Sequence, residues 1–485
     1  MRDITKIEAI LRDRRLILAS NREPYIHRKS GGDVICARGP GGLISALDPV
    51  MRKTGGVWVS WGSGDQDFAV SDDRGRVKVP SENPSYTLRR VRLSKRDVNQ
   101  YYYGFSNRVL WPVFCLFIDK ARFRVDYWRG YRRVNGKFAR AIVEDMRTDD
   151  LIWVHDYHLT LVPRLIRDSE EDAKIAFFWH IPWSPPEAFF TLPWRREILR
   201  GLLGSDLIGF QTQPDVKNFV ECVKKEFKAS FDEGEGVLET ADRRVVVKAF
   251  PIGIDYDELV DLSREGMLPR IMERVKTIRR RRYVDHLVLG VDRLDYTKGI
   301  LKKLEAFERF LERNPAFHGK VSLVQIASPS RTRVQEYREM KREIDETVAR
   351  INGRFQTMDW VPIRYFYRYI PHERLVAYYK AADVALVTSL VDGMNLVAKE
   401  YVAAKVKGDG VLILSEFTGA AEELSEALIV NPYDIEGVAE AIKEALEMPP
   451  EEKKRRFEGL REKVRSRDVY WWLESFLEEW RGIYD

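Results

Sequence analysis

The chain has 485 residues, 44% hydrophobic and 32% charged, with a net charge of +6. That length exceeds one ordinary core and predicts two large α/β domains, and the composition excludes a disordered chain. No apolar run approaches the roughly 18 residues of a membrane span, and the modest positive balance suits anionic small molecules at least as well as nucleic acid.

The first segment, "MRDITKIEAILRDRR", reads as a charged amphipathic helix without the apolar core of a signal peptide. Three scattered cysteines, Cys36, Cys115 and Cys222, form no CxxC pair and fit a reduced, cytoplasmic setting. Short β-branched runs then recur: "RLILAS" (15–20), "LIWVHD" (151–156), "KIAFFWH" (174–180), "LIGFQT" (207–212) and "VVVKAFP" (245–251). A second series follows with "HLVLGVDR" (286–293), "VSLVQIAS" (321–328), "VALVTS" (384–389) and "VLILS" (411–415). Most are apolar on both faces, as a parallel sheet covered by helices demands. Helical patterns such as 299–314 and 330–351 lie between them, so the expectation is doubly wound α/β architecture.

The basic run Arg279–Arg282 reads as a solvated helix end rather than a nucleic-acid signal. A boundary is expected near "FPIGIDYDELVDLSREG" (250–266), giving domains 1–252 and 253–465. The aromatic-rich end, 466–485, is expected to be a helix that packs back on the first domain.

Polar residues collect where these strands end. Asn21-Arg22, His155-Asp156, His180, Gln211, Arg293 and Ser330-Arg331 each fall at or just past a strand's carboxyl end, the ligand-binding edge of open α/β sheets. Any one of them is explained by a helix cap or a loop; six together predict a site. Gly41 and Gly42, in "RGPGGL", precede a helix and let a backbone approach phosphate, although no GxxxxGK[ST] or GxGxxG is present. The aromatic stretch "YYYGFSNRVLWPVF" (101–114) suits the apolar face of a sugar, although taken alone it reads first as core packing.

His155 and His158 flank Asp156, but no further Cys/His cluster completes a metal site. Asp65 and Asp67 stand in a turn-rich loop rather than after a nucleotide-binding strand, so no metal is expected there either.

"VDRLDYTKG" (291–299) places Arg293 and Lys298 after a strand, separated by a turn and able to converge on one anion. Two fixed cations neutralise a leaving diphosphate without a metal, with Asp295 orienting one of them. The alternative is two surface charges in a βα loop. "DGMNLVAKE" (392–400) starts a helix after a strand, leaving the N–H groups of Met394, Asn395 and Leu396 for phosphate. Glu400 lies one turn further along the same face, where a carboxylate accepts hydrogen bonds from sugar or ribose hydroxyls. The alternative is a capped helix whose Glu400 pairs with Lys399 or Lys405.

Together the stretches "SNR", "GPGGL", "YYYGFSNRVLWP", "WVHDYHL", "HIPW", "DLIGFQT", "PIGID", "VDRLDYTKG", "QIASPSR", "INGRF" and "DGMNLVAKEYVAA" resemble the trehalose-6-phosphate synthase family of retaining glycosyltransferases. The resemblance runs from about residue 16 to beyond 420. It implies GT-B architecture, two Rossmann-like doubly wound domains facing across a cleft. It also implies that Arg293, Lys298 and the backbone at Met394, Asn395 and Leu396 bind the donor diphosphate, that Glu400 holds the ribose, and that Asp392 and His180 contact the transferred sugar. Gly41 and Gly42 are counted with the donor site. Arg22, Tyr102, Trp111 and Arg331 would hold the acceptor phosphate, with Asp156 on an acceptor hydroxyl; the catalytic set is Asp156, His180, Arg293, Lys298 and Asp392.

The implied reaction is front-face transfer of glucose from a nucleotide diphosphate glucose, UDP-glucose foremost, to glucose 6-phosphate. No cofactor, metal, nucleic acid or membrane is implied, and the oligomeric state is left open, a homo-oligomer included. Two departures from the family pattern stand out. After Arg22 the chain reads "EPYIHRKSGGD", where Glu23, His27, Arg28 and Lys29 are expected to add charge to a loop near the site. The chain also ends after its terminal helix, so the product is expected to stay phosphorylated. The competing readings are glycerol 3-phosphate as acceptor, a non-catalytic regulatory member, and a pyridoxal-dependent phosphorylase of similar architecture.

Overall fold

The computed structural model describes residues 5–12, 14–39, 42–264, 284–331 and 334–484. The basic run Arg279–Arg282 and Gly41 lie outside them. The chain divides into two compact units: Met1–Ile252 with Tyr470–Asp485, and Gly253–Val469.

In unit 1 the described strands are β1 (Leu16–Arg22), β2 (Tyr25–Ser30), β3 (Asp33–Arg38), β4 (Val57–Trp61), β5 (Arg76–Val79), β6 (Tyr86–Val91) and β7 (Leu151–His155). They continue with β8 (Lys174–Phe178), β9 (Leu207–Phe210), β10 (Ala229–Asp232), β11 (Val237–Thr240) and β12 (Arg244–Ala249). Ten of them form one sheet in the order β10-β11-β12-β9-β8-β7-β1-β4-β6-β5, while β2 and β3 pair as a separate hairpin. From β12 across to β6 every pairing is parallel. From β1 the chain builds β4 and β6 on one side and β7, β8, β9 and β12 on the other, so the strand order reverses between β1 and β7. A crevice opens outside the carboxyl ends of the strands at such a reversal.

Strands β4 and β6 are missing from the sequence reading. "VWVSW" and "YTLRRV" substitute Trp, Ser and Arg for the β-branched aliphatics that mark the other strands. Arg89 and Arg90 are nevertheless buried in β6, which is possible because each meets carboxylates: Glu144 at 2.8 Å from Arg89 and Glu23 at 2.9 Å from Arg90.

Unit 2 contains β13 (His286–Arg293), β14 (Val321–Ser328), β15 (Ile363–Tyr367), β16 (Val384–Val387), β17 (Val411–Ser415) and β18 (Leu428–Val430). They form an all-parallel sheet in the order β15-β14-β13-β16-β17-β18, so its reversal falls between β13 and β16. Val288, Leu386 and Ile413 of the strands meet Leu304 and Phe307 of the helix Ile300–Arg313 and Ile344 of the helix Gln335–Phe355 in one core. Burial on both faces explains why these strands read as continuous apolar runs. No helix among the described residues is long and apolar enough to cross a membrane.

The last helix, Val469–Gly482, packs its aromatic stripe on unit 1. Phe476 stacks on Trp153 with ring centroids 4.4 Å apart, and Trp472 meets Phe178 edge-on at 5.1 Å. Lys248 also pairs with Glu479 at 2.7 Å, but both side chains are about a third exposed. Apolar burial therefore outweighs charge in anchoring this helix. Phe476→Ala should cost about 3–5 kcal/mol, whereas Glu479→Ala should cost less than about 1 kcal/mol. Urea unfolding of the two variants measures the difference, and equal losses would contradict it.

Candidate active site

In unit 2, β13 ends at the exposed Arg293 and the chain turns at once through Asp295 to Lys298. Asp295 is buried and caps that turn, its Oδ1 accepting the Thr297 N–H at 3.2 Å and the Thr297 hydroxyl at 3.1 Å. Gly299 closes the turn at φ 63°, and a Cβ there would stand 2.7 Å from the Thr388 carbonyl oxygen just past β16. Only glycine lets the two loops approach this closely. Lys298 thereby reaches Asp392, whose Oδ2 accepts the Lys298 ammonium and, at 2.9 Å, the Asn395 amide.

Asn395, itself at φ 77°, caps the helix Leu396–Ala404 by accepting the Ala398 N–H at 3.2 Å. The N–H groups of Met394, Asn395 and Leu396 come before the first intrahelical hydrogen bond and find no acceptor among the described residues. One turn on, Glu400 Oε2 accepts the Tyr379 hydroxyl at 2.7 Å, and its Oε1 lies 3.7 Å from His372 Nε2. The lysine pairing weighed from sequence does not form. Lys399 takes Glu423 at 2.6 Å and Lys405 takes Asp409 at 2.7 Å, which leaves Glu400 to partners from another helix, His372–Ala381.

Asp295 Oδ2 also holds Arg331, at 2.6 Å, alongside the Tyr337 hydroxyl at 3.0 Å, a partner beyond the Arg293 or Lys298 expected from sequence. β14 lies beside β13, and the loop that follows it carries Arg331, at φ 46°, to this carboxylate. Burial pushes the Asp295 carboxyl up, but Arg331, then Arg293, the Thr297 N–H and Lys298 outweigh it and hold the pKa below the ordinary carboxylate value.

In unit 1, Arg22, Asp156 and His180 stand at or just past the carboxyl ends of β1, β7 and β8. Arg22 donates to the Tyr102 hydroxyl at 2.8 Å, and the Tyr102 ring stacks on His158 with centroids 5.9 Å apart. His158 Nδ1 is in turn 3.5 Å from Asp156 Oδ2. Asp156 sits at φ 74°, a strained conformation for a residue with a Cβ. Burial pushes its carboxyl up, yet His158, His180 and the Tyr157 N–H prevail and keep the pKa below the ordinary value.

His180 Nε2 and His155 Nδ1 are 3.1 Å apart, one donating and the other accepting. Burial pushes His180 down to about 4, only partly offset by Asp156, so its ring is neutral near pH 7. Trp111 is buried, 5% exposed, against Tyr157, and supports the site from within. Gly42 opens the exposed start of the helix Gly42–Thr54.

Tyr102 and Trp111 belong to a feature that sequence did not announce. A reciprocal cap between Ser94 and Asp97 starts a helix that runs on as π-helical turns over Val98–Leu110, and the Trp111 N–H donates to the Ser106 carbonyl. Wide π turns are rare and re-aim side chains at functional sites. Here Tyr101 and Phe105 turn into the core, while Tyr102 meets Arg22.

The charged stretch after Arg22 also differs from expectation. It enters the β2–β3 hairpin, and of its four named charges only Arg28 and Lys29 are exposed. Glu23 is buried beneath, accepting Arg90 Nε at 2.9 Å and the Ser63 N–H at 2.7 Å, and His27 Nδ1 lies 2.7 Å from Arg90 Nη2. Burial and the neighbouring Asp67 push the Glu23 carboxyl up to about 8. Asp67 and Asp65 accept the backbone N–H groups of His27 and Lys29 at 2.7 and 3.1 Å, which ties them to the hairpin. Among the described residues no group of three or more His, Cys, Asp or Glu is arranged to hold a metal ion.

Both units thus gather their polar side chains at the reversal of strand order, with a cation, capped helix N–H groups and acids in unit 2. The model of the family described as glycosyltransferase family 20 matches residues 13–481. The chain belongs to glycosyltransferase family 20.

It is similar to the bifunctional trehalose-6-phosphate synthase/phosphatase of Thermoproteus tenax, 44% identical over 474 residues; the match covers 96% of this chain and 63% of that relative's length. It is also similar to the UDP-forming α,α-trehalose-phosphate synthase of Burkholderia xenovorans in complex with glucose-6-phosphate, at TM-score 0.86 and 37% identity over 96% of this chain and all of that one, 100%. An E. coli structure bound with UDP-2-fluoro glucose matches at TM-score 0.87 and 34% identity, over 96% of this chain and 99% of the other. The fold of this glycosyltransferase is accordingly GT-B, with two Rossmann-like domains.

Sequence reasoning missed Tyr379, His372 and Tyr337, the residues that hold Glu400 and Arg331. No local signal marks them, because each acts across a helix or a neighbouring strand. Two histidines, one in each unit, have environments of opposite sign. The Glu400 carboxylate raises the His372 pKa above 6.5, while burial takes His180 to about 4. Histidine ring NMR across a pH titration should resolve both, and Glu400→Gln should lower the His372 midpoint while leaving that of His180 in place. A shared midpoint near 6.5 would contradict the geometry.

Proposed function

We propose that this family 20 glycosyltransferase moves glucose, with retention, from UDP-glucose to glucose 6-phosphate and forms trehalose 6-phosphate. The observation that carries the reading is the meeting of Lys298 with Asp392 at the reversal between β13 and β16, directly before the N-terminus of the helix Leu396–Ala404. A diphosphate there receives the Lys298 ammonium, the Arg293 guanidinium and the N–H groups of Met394, Asn395 and Leu396. Asp392 exchanges its lysine for hydroxyls of the transferred glucose, and Glu400, already oriented by Tyr379, takes the ribose hydroxyls. The relatives solved with UDP-2-fluoro glucose and with glucose-6-phosphate support the pairing of substrates.

On the acceptor side, Arg22 with Tyr102 in unit 1 presents a guanidinium and a phenol to the phosphate, and in unit 2 Arg331 is set by Asp295. Ionised Asp156 accepts from an acceptor hydroxyl, and neutral His180 contacts the glucosyl unit without adding charge. The acceptor oxygen then bonds to the anomeric carbon on the face that the phosphate leaves. The carbon–oxygen bond breaks with its electron pair on UDP, and the leaving phosphate oxygen takes the acceptor's proton. Lys298 and Arg293 stabilise the charge that develops there.

Loss of one such stabiliser should cost about 2.7–4 kcal/mol, so Lys298→Ala should lower kcat about 10²–10³-fold. Because these side chains supply the positive charge, turnover should persist in EDTA. Initial rates at saturating UDP-glucose test the acceptor. Glucose 6-phosphate should react, glucose should not, and Arg22→Ala should raise the glucose 6-phosphate KM more than the donor KM. A preference for glycerol 3-phosphate would reassign the acceptor while leaving the donor chemistry intact.

A further inference from the structure

Unit 1 carries a second concentration of positive charge away from these residues. A cavity of about 580 Å³ lies at the β5–β6 edge of its sheet, lined by Phe68, Gly75, Arg89, Arg92, Arg140 and Glu144 among others. Strands β4 and β1 separate β6 from β7, which at about 4.8 Å per strand spacing puts roughly 14 Å between β6 and the strand that leads to Asp156. Successive side chains of a strand face opposite ways. Arg90 accordingly goes to Glu23 and Asp67, and Arg89 goes to the end of the helix Val125–Val143.

Arg89 is the decisive residue. It is only 7% exposed, and its Nη2 donates to Glu144 at 2.8 Å. Its Nε and Nη1 are buried and have no hydrogen-bond partner; Nε approaches Asp145 no closer than 3.7 Å. A buried guanidinium left in that state is costly unless an acceptor fills the space beside it. Gly75, which lines the same cavity, lies beside this guanidinium: a Cβ on it would stand 3.7 Å from Arg89 Nη1. Gly75 itself, at φ 77°, could not carry that Cβ, which would lie 2.6 Å from the Arg90 carbonyl oxygen.

Two more guanidiniums border the same space. Arg92 is held with its guanidinium carbon 3.8 Å from the centroid of the Phe68 ring, and Arg140 projects from the helix Val125–Val143. Neither has a carboxylate partner among the described residues. The acids of the lining are largely engaged. Asp72 accepts the N–H groups of Arg74 and Arg76 at 3.0 and 2.7 Å, Glu144 is shared with Arg89, and Asp73 is exposed. Lys137, also in the lining, is bound to Asp97 at 2.8 Å. A strand, the loop after it and a helix each set an arginine in the lining of this one cavity, and forked guanidinium donors suit a tetrahedral dianion. The volume is that of a small-molecule site and too small for a nucleic-acid groove.

We propose that this cavity is a second anion site, which binds the phosphate group of a small phosphorylated metabolite between Arg89, Arg92 and Arg140, apart from the residues of glucosyl transfer. Crystals of the full chain soaked in tungstate, a tetrahedral dianion with an anomalous signal, should show a peak among the three arginines. Replacing Arg89 threatens the fold, so the variant is Arg92→Ala with Arg140→Ala, whose side chains reach the surface. It should lose that peak and bind phenyl phosphate at least tenfold more weakly in calorimetry, with unchanged glucosyl transfer in phosphate-free buffer. No peak in the cavity, or unchanged phenyl phosphate affinity in the double variant, would overturn the assignment. Binding of inorganic phosphate but not phenyl phosphate would restrict the site to the free ion and overturn the metabolite.

Discussion

The contact between Lys298 and Asp392 joins the two loops on which unit 2's chemistry depends. It is possible only because the strand order reverses between β13 and β16, so that the loops after both strands open on one side and neither is covered by a crossover helix. The approach is then tightened by Gly299 against the Thr388 backbone, and its direction is set by Asn395, which holds Asp392 with its amide and caps the next helix with its carbonyl. An ammonium, a carboxylate and three N–H groups with no acceptor among the described residues are thereby gathered. Asp392 is the counter-ion of Lys298, so the carboxylate and the ammonium neutralise one another.

Unit 1 meets the same requirement by different means. Its reversal lies between β1 and β7, and Arg22 ends the first of these strands, where it is held by Tyr102. That tyrosine is delivered by π-helical turns, which displace it from the register an α-helix would impose, while Tyr101 anchors the segment by donating to Asn21 at 2.9 Å. Beneath Arg22 the buried set of Glu23, Arg90, Asp67 and His27 fixes where the β2–β3 hairpin leaves the sheet. Two carboxyl groups crowd one guanidinium there, and burial with mutual repulsion keeps Glu23 near 8. The hairpin's exposed face, including Arg28 and Lys29, is the part of this stretch left to solvent.

Sequence made the parallel core legible because burial on both faces leaves an unmistakable apolar run: β13, β14 and β17 coincide with the runs 286–293, 321–328 and 411–415. Arg293 and Lys298 stand out for the converse reason, as polar residues at or just after such a run. Strands β4 and β6 escaped because tryptophan, serine and arginine replace aliphatics in them. Partnerships were the least legible of all. Glu400 is held by Tyr379, Asp295 holds Arg331, and Arg90 binds Glu23 across 67 positions of sequence; each pair is made by packing between elements, on which local pattern is silent. The same blindness turned Glu23 and His27 into loop charges, since sequence shows that a residue is ionisable but not that an arginine waits beneath it.

In the proposed reaction Asp392 opposes the diphosphate that Lys298 attracts. Asp392→Asn preserves shape, removes the negative charge beside the diphosphate and frees the lysine. Calorimetric affinity for UDP therefore decides whether Asp392 plays this part. Asp392→Asn should bind UDP at least as tightly as the parent protein while glucosyl transfer collapses; weaker UDP binding by the variant would contradict this role.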